Sequence, residues 1–362
     1  KKNEKLYEQF SNHLEMMKEE AKENKKKNKD FSWEIVLLVI SKHEKDVYTP
    51  FKEAVNNSNL YIPSQVFKKE TVIQKDLSVI SNIFLQMWAK TESRIWRTER
   101  IEDEEKSFKD TMIVGYSCSR SQLNKFNSVS SISASYDRSL SKFMYFSKIS
   151  DYAGKVCNVI GELFDKVLQN YKELNKKYPK KVIIYREGVN MVQRKFVLEM
   201  EFDSIWQICT SKDIKITFIF VNSLCDMRLY TEISNKKDQE GIDIYDLNID
   251  SNKNNTIANV IPGTICDDIV TNEKEWDFYM TSCFARQGTS NPTHYVVYYD
   301  DSEIRPILLY KLTFDLCFMY YNNQKCIRIP GPLKNSLNMT NFIAKYLTNR
   351  ISTNLKFKNI SL

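Results

Sequence analysis

The 362-residue sequence is poor in the residues that build metal centres, turn-rich folds and membrane spans. Three histidines in the whole chain all but exclude a His-rich metal site. The eight cysteines (118, 157, 209, 225, 266, 283, 317 and 326) never fall in a Cys-x-x-Cys pair and form no small-domain framework. Mostly buried thiols in a reducing, intracellular setting, cytoplasmic or nuclear, are therefore expected. Only eight glycines and eight prolines exclude collagen-like and linker-dominated chains. The longest apolar runs, such as Ile35–Ile40 and Ile216–Val221, are strand-sized and far short of a membrane span. No charged segment followed by an apolar one opens the chain as a secretion signal, and its first residue is not Met, as in a fragment. Neither sign of charge dominates. A net +7, from 53 basic and 46 acidic residues, permits a polyanionic partner without the strongly basic footprint of many nucleic-acid binders.

Hydrophobic residues at 42% and charged residues at 27% describe ordinary globular material, long enough for about two or three domains. Leu6, Phe10, Leu14, Met17 and Ala21 recur at helical spacing, so residues 1–30 read as an amphipathic helix running into a lysine-rich solvated stretch. The run Glu34–Ile40 has the continuous apolar character of a strand buried on both faces. A helix over 47–56, a strand over 61–67 and a helix over 77–90 follow, and this β-α-β-α order predicts a small Rossmann-like layer over 31–100. A charged stretch at 97–109 marks the boundary. A second strand series then begins at Thr111-Met-Ile-Val-Gly115 and continues through Ser131–Tyr136, Lys181–Tyr185, Lys215–Val221, Ile257–Ile261 and Tyr295–Tyr299. Helices are expected over 156–171 and near 191–201, 275–283, 307–321 and 339–350, with a polar loop at 234–255. The fold class is α/β.

Five ordered motifs resemble those of the PIWI domain of Argonaute proteins. They are Val182-Ile-Ile-Tyr-Arg-Glu-Gly-Val189, Ile261-Pro-Gly-Thr-Ile-Cys-Asp267, the Trp276-Asp-Phe-Tyr279…Arg286-Gln-Gly-Thr-Ser290…Pro292-Thr-His-Tyr295 series, Met319-Tyr-Tyr-Asn322, and Ile327-Arg-Ile-Pro-Gly-Pro332. The last of these, together with Ser135-Tyr-Asp-Arg-Ser-Leu140, resembles the Piwi branch. Residues 31–100 resemble the MID domain that precedes PIWI. The resemblance implies a Rossmann-like MID domain followed by an RNase H-like PIWI domain over 101–362. It also implies N-terminal and PAZ domains in the full-length protein, and as partners a small guide RNA, its complementary target RNA and protein effectors.

Tyr48 and Lys52 are spaced i, i+4, as are Gln86 and Lys90, so each pair projects from one helical face. These four, with Gln65 at a strand end, match the family's pocket for a guide 5′-phosphate, a group of charge about −2 that needs several donors gathered at one point. Gln86 in place of a lysine resembles the Piwi branch. There the resemblance implies a bound Mg²⁺ held near Gln86 and by the terminal carboxylate, here that of Leu362. Arg228, Arg286 and Gln287 resemble contacts along the nucleic-acid channel.

Cleavage by this family is a two-metal reaction, with ions about 4 Å apart that demand anionic oxygen ligands. The resemblance places Ser117, Lys155, Glu187 and Leu337 at the four ligand positions. A serine lacks the bridging charge, a lysine repels metal, and a leucine offers no donor. Glu187 keeps a carboxylate but is one methylene longer, displacing its oxygens by ~1.5 Å. His294 belongs to a motif, with a structural hydrogen-bonding role expected. The expectation is a guide-dependent binder that does not cut. A divergent slicer built on Glu187, or a scaffold that needs no guide, are the alternatives.

Overall fold

The structure is a computed structural model. It describes residues 2–27, 33–58, 62–74, 77–91, 95–99, 102–122, 125, 127–151, 154–189, 191–233, 256–285, 287–346 and 354–357. Helix α1 (Lys2–Lys27) comes first, followed by strand β1 (Val36–Ile40), helix α2 (Tyr48–Asn57), strand β2 (Ser64–Lys68), a short helix α3 (Lys69–Ile73) and helix α4 (Leu77–Lys90). Strands β1 and β2 pair in parallel, as the β-α-β-α reading requires. The α1 helix packs on α2, where the rings of Phe10 and Phe51 meet edge-on at 5.3 Å. Its apolar stripe thus has a partner.

A charged connector carries α5 (Glu102–Ser107) into β3 (Thr111–Arg120), β4 (Ser128–Ser135) and β5 (Phe143–Ser150), an antiparallel meander. Helix α6 (Ile160–Asn175) crosses over to β6 (Lys181–Glu187), which pairs in parallel with β3. Helices α7 (Met191–Val197) and α8 (Asp203–Thr210), joined by a π-helical turn, lead to β7 (Lys215–Asn222), parallel to β6. The short pair β8 (Tyr230–Ile233) and β9 (Thr256–Asn259) stands apart from the main sheet. Next come β10 (Thr264–Cys266), β11 (Trp276–Thr281), β12 (Thr293–Asp300), α9 (Pro306–Leu316), α10 (Gly331–Tyr346) and β13 (Asn354–Phe357). The nine-stranded sheet runs β10-β11-β12-β7-β6-β3-β4-β5-β13, with its parallel strands at the centre. A long mixed sheet entered by an antiparallel meander is the RNase H-like arrangement.

Both faces of the nine-stranded sheet are covered, which explains apolar runs such as Ile216–Val221; β1 differs from expectation, since Leu37 and Val39 are 46% and 52% exposed and the Glu34–Ile40 run is not buried on both faces. Met112, Val114, Tyr116 and Cys118 of β3 face α6 and α8, while Ile113 faces α9 and α10. The period-two alternation puts Gly115 and Ser117 on the α10 face as well. A Cβ added to Gly115 would lie 2.3 Å from the Leu333 backbone nitrogen. Glycine at 115 is therefore what lets the start of α10 lie directly on β3.

Several expectations change. Residues 276–281 form a strand and not a helix: Phe278 and Met280 point into the core alternately with their neighbours, and β11 pairs with both β10 and β12. The helix near 191–201 is two short helices around the π-helical turn 198–202. Helix α9 ends earlier than periodicity indicated, at Leu316, and α10 begins earlier, at Gly331, where Pro332 suits a first turn; residues 347–350 of the expected helix lie outside the described residues. All eight cysteines are free thiols, but only Cys118, Cys157, Cys209 and Cys317 are buried. The polar stretch 234–255 lies outside the described residues.

Candidate nucleic-acid-binding site

The structure brings four of the five sequence-predicted pocket residues into one hydrogen-bonded cluster and sets the fifth, Tyr48, beside it. Lys52 comes from the middle of α2, Lys90 from the last turn of α4, and Gln65 from the start of β2 between them. Lys52 Nζ donates to the Ser64 carbonyl at 3.2 Å and to Ser64 Oγ at 2.9 Å. Lys90 Nζ donates to the same carbonyl at 3.0 Å and to Gln65 Oε1 at 2.7 Å. Gln65 Nε2 in turn donates to Gln86 Oε1 at 3.1 Å. Two ammonium groups thus converge on one carbonyl oxygen.

Burial makes this arrangement unusual. Lys52 is 8% exposed and Lys90 5%, and neither has a carboxylate partner among the described residues. Desolvation pushes Lys52 down to about 8. Desolvation, then the nearby charge of Lys52, pushes Lys90 down to about 7. Buried charges in proteins are normally paired. An anion within reach of both ammonium groups would supply the counter-charge that burial denies them.

Helix α10, from the far end of the chain, completes the wall. The Tyr48 ring meets Tyr346 edge-on at 5.4 Å and Phe342 at 6.3 Å. Lys52 Nζ sits 5.9 Å from the Tyr48 ring centre and 6.0 Å from that of Phe342, within cation–π reach of both. Burial, then the neighbouring Tyr346, raises the Tyr48 phenol to about 12, so it stays neutral. Ser64, Phe342 and Tyr346 were not singled out from sequence. Ser64 adjoins Gln65, but nothing local marks the two aromatics as pocket residues.

The second region is the floor beneath α10. Ser117 is fully buried, and its Oγ lies 2.7 Å from Thr340 Oγ1. Ser117 is in register with Ser131 of β4, and Ser131 with Ser147 of β5. Ser147 Oγ donates to Ser131 Oγ at 2.7 Å. The floor is a row of neutral hydroxyls capped by a helix. Leu337 packs with the apolar cluster, and Thr340, not Leu337, is the α10 residue that meets Ser117. Glu187 ends β6; burial raises its carboxyl, an effect opposed by Arg186 and then Lys155. Lys155 itself is exposed. No group of three or more His, Cys, Asp or Glu side chains able to hold a metal exists among the described residues.

The other sequence candidates are more dispersed. Arg228 is exposed and donates through Nη1 to the carbonyls of Cys225 and Met227, its own loop. Gln287 is exposed beside Gly288, whose carbonyl accepts from Asn259 Nδ2 at 2.9 Å. Arg286 and Leu362 lie outside the described residues. His294 Nε2 is 2.6 Å from Asp277 Oδ2 and its ring stacks on Tyr279 at 4.3 Å, the structural role expected.

An RNase H-like sheet joined to a small parallel layer that carries a buried lysine pair defines the class of α/β fold. The comparisons identify the family. The Piwi domain profile matches residues 35–348. The chain is 31% identical to argonaute-3 of Drosophila melanogaster over 84% of its own length and 32% of that protein's. It is 28% identical to the Piwi-like protein Ago3 of Bombyx mori, over 83% of this chain and 30% of that one. The crystal structure of Drosophila Piwi superposes with a TM-score of 0.72 at 22% identity, over 90% of this chain and 42% of that one. The Kluyveromyces polysporus Argonaute with a guide RNA gives 0.74 at 20% identity, over 89% of this chain and 38% of that one. The chain belongs to the Argonaute family, in its Piwi branch. It spans about a third of the length of the curated relatives it matches. Among the described residues no helix is long and apolar enough to cross a membrane.

Proposed function

We propose that this chain grips the 5′-phosphate of a small guide RNA, presents the guide for pairing with a target RNA, and does not cut that target. The observation that carries the reading is the buried, carboxylate-free pair Lys52 and Lys90. A dianionic phosphate would return to both ammonium groups, which now share the Ser64 carbonyl, the counter-charge that burial denies them. Gln65 and Gln86 would fix the orientation of its oxygens, and Tyr48 would set the wall beside the first nucleotide. Relatives have been seen with such ligands: the Kluyveromyces protein with a guide RNA, and the Clostridium butyricum Argonaute with a guide DNA and a target DNA.

The donor set of two ammonium groups with amide and hydroxyl oxygens fits an anion and not a bare divalent ion. A Mg²⁺ at Gln86 would therefore depend on the phosphate's own oxygens. Loss of cleavage is supported by the hydroxyl row at Ser117, Ser131 and Ser147 under Thr340, with Glu187 the one carboxylate at the four expected ligand positions. Silencing or processing would then fall to protein effectors recruited to the paired target. Guide binding tests the reading. A 5′-phosphorylated guide should bind at least tenfold more tightly than its 5′-hydroxyl counterpart, ~1.4 kcal/mol or more; equal binding refutes it. Divalent-dependent cleavage of a complementary target would refute the claim of inactivity.

A further inference from the structure

Cys317 and Cys326 close a loop between α9 and α10. The Ile327 N–H donates to the Cys317 carbonyl at 3.0 Å, and the two thiols hydrogen-bond to each other. Backbones joined in this way run about 4.5–5.5 Å apart, inside the roughly 7 Å between α-carbons that a disulfide spans. The loop holds three other parts of the molecule. Its Phe318 carbonyl accepts from Trp96 Nε1 at 2.8 Å. The Tyr321 hydroxyl lies 3.1 Å from the Trp96 carbonyl and 2.8 Å from the Ser141 carbonyl, and the Trp96 and Tyr321 rings meet edge-on at 4.9 Å. The Tyr320 hydroxyl accepts from Asn338 Nδ2 of α10 at 2.6 Å. Residues 318–325 thus tie the connector that follows α4, the turn after β4 and the middle of α10 together.

The two thiols differ in exposure. Cys317 is fully buried, and its Sγ donates to the Thr313 carbonyl at 3.3 Å. Burial, then the hydrogen bond with Cys326, raises the Cys317 thiol well above its ordinary value. Such a thiol is inert toward a reagent in solution. Cys326 is half-buried, so solvent reaches it. Cys283 is also half-buried and senses the charge of Cys326, but the two share no hydrogen bond among the described residues. An oxidant therefore meets Cys326 first, and the sulfur already in contact with it is that of Cys317. We propose that Cys317 and Cys326 are an oxidative modification site that takes a hydroperoxide and forms an intramolecular disulfide, locking the loop on Trp96. The peroxide converts the Cys326 thiol to a sulfenic acid and is itself reduced, with release of one water. The Cys317 sulfur, held against it without need of a diffusional encounter, attacks the sulfenic sulfur. The S–O bond breaks, and the hydroxyl leaves with the Cys317 proton as a second water. Two thiols thus give two electrons to one peroxide, and an added dithiol reverses the change by exchange.

The test uses the full-length protein, purified reduced, exposed to hydrogen peroxide, blocked with N-ethylmaleimide and digested without reductant. Mass spectrometry should find the peptides of Cys317 and Cys326 joined, and dithiothreitol should separate them. The link should persist in Cys283→Ser and be absent from Cys317→Ser and from Cys326→Ser. Cys326→Ser changes only a half-buried sulfur, so its thermal midpoint, matched to that of the reduced wild type, controls for folding. Oxidation should slow hydrogen exchange of the amides of residues 318–325 about tenfold in the wild type and leave it unchanged in Cys326→Ser. Closing so short a loop should also raise the wild-type midpoint by about 2–5 °C. A Cys283–Cys326 link, oxidation that runs on to the sulfinic or sulfonic acid of Cys326, or a disulfide that leaves exchange in the loop unchanged overturns the proposal.

Discussion

Replacing Lys90 by methionine should make the empty protein more stable and the guide complex weaker. Burial, then the charge of Lys52, pushes Lys90 down to about 7 in the folded chain from the ordinary lysine value of 10.5. Because the folded pKa is the lower one, the unfolded chain holds the proton more tightly. The penalty is therefore fully present below pH 7 and disappears as pH rises to about 10.5. At pH 7 the shift corresponds to a cost on the order of 4 kcal/mol. Methionine fills similar space without charge. It leaves Gln65 Oε1 without the Lys90 donor, at about 1–3 kcal/mol, while the Ser64 carbonyl keeps its Lys52 bond. The net gain for the empty protein is about 1–3 kcal/mol, read as a higher midpoint of thermal unfolding at pH 7. A 5′-phosphorylated guide should lose about 3 kcal/mol, roughly a hundredfold, while a 5′-hydroxyl guide changes little. A lower midpoint for the empty variant, or the same loss for both guides, would show that Lys90 is a structural residue and not a phosphate ligand.

The remaining predictions concern titration and the floor. Affinity for a 5′-phosphorylated guide should fall as pH rises from 7 to 9, because the empty pocket sheds the protons of Lys90 and Lys52 at about 7 and about 8 whereas the complex keeps them; Kd measured at pH 6.5, 7.5 and 8.5 checks this, and a flat profile refutes it. Ser117→Asp should not restore cleavage in Mg²⁺ or Mn²⁺ and should lower stability by several kcal/mol, since it buries a carboxylate under Thr340; target cleavage by this variant would contradict the account. Glu201→Ala should cost about 3–5 kcal/mol in denaturant unfolding by stranding Arg186 in the core.

How much of this was legible in the sequence depended on distance along the chain. Lys52 and Lys90 were readable because each lies four residues from its helical partner and the family motif orders them. Strand β3 was readable because the apolar run Thr111-Met-Ile-Val-Gly115 is strand-sized. The strand at 276–281 was misread because Glu273 to Glu275 look like the acidic first turn of a helix, and three inward side chains are too few to establish a period of two. Thr340 was invisible. It meets Ser117 across 223 positions, and nothing near either residue signals the contact. Phe342 and Tyr346 were hidden for the same reason, since their stripe on α10 serves the core and the pocket alike.

Helix α10 is the element that joins the two halves of the argument. Its start rests on Gly115, its middle places Thr340 on Ser117, and its end sets Phe342 and Tyr346 around Tyr48 and Lys52. A functional two-metal floor would need charged groups at Ser117 and on the facing side of this helix, and their mutual repulsion would have to be relieved by bound ions. With neutral hydroxyls in both places the helix settles directly onto the sheet, and no ion is needed to hold it there. The closed floor therefore steadies the same helix that walls the phosphate pocket. On the proposed reading, neutral residues at the metal-ligand positions and a lysine pair in the pocket are compatible physically: the first leaves no charge problem under α10, and the second leaves one at its far end that a guide phosphate would resolve.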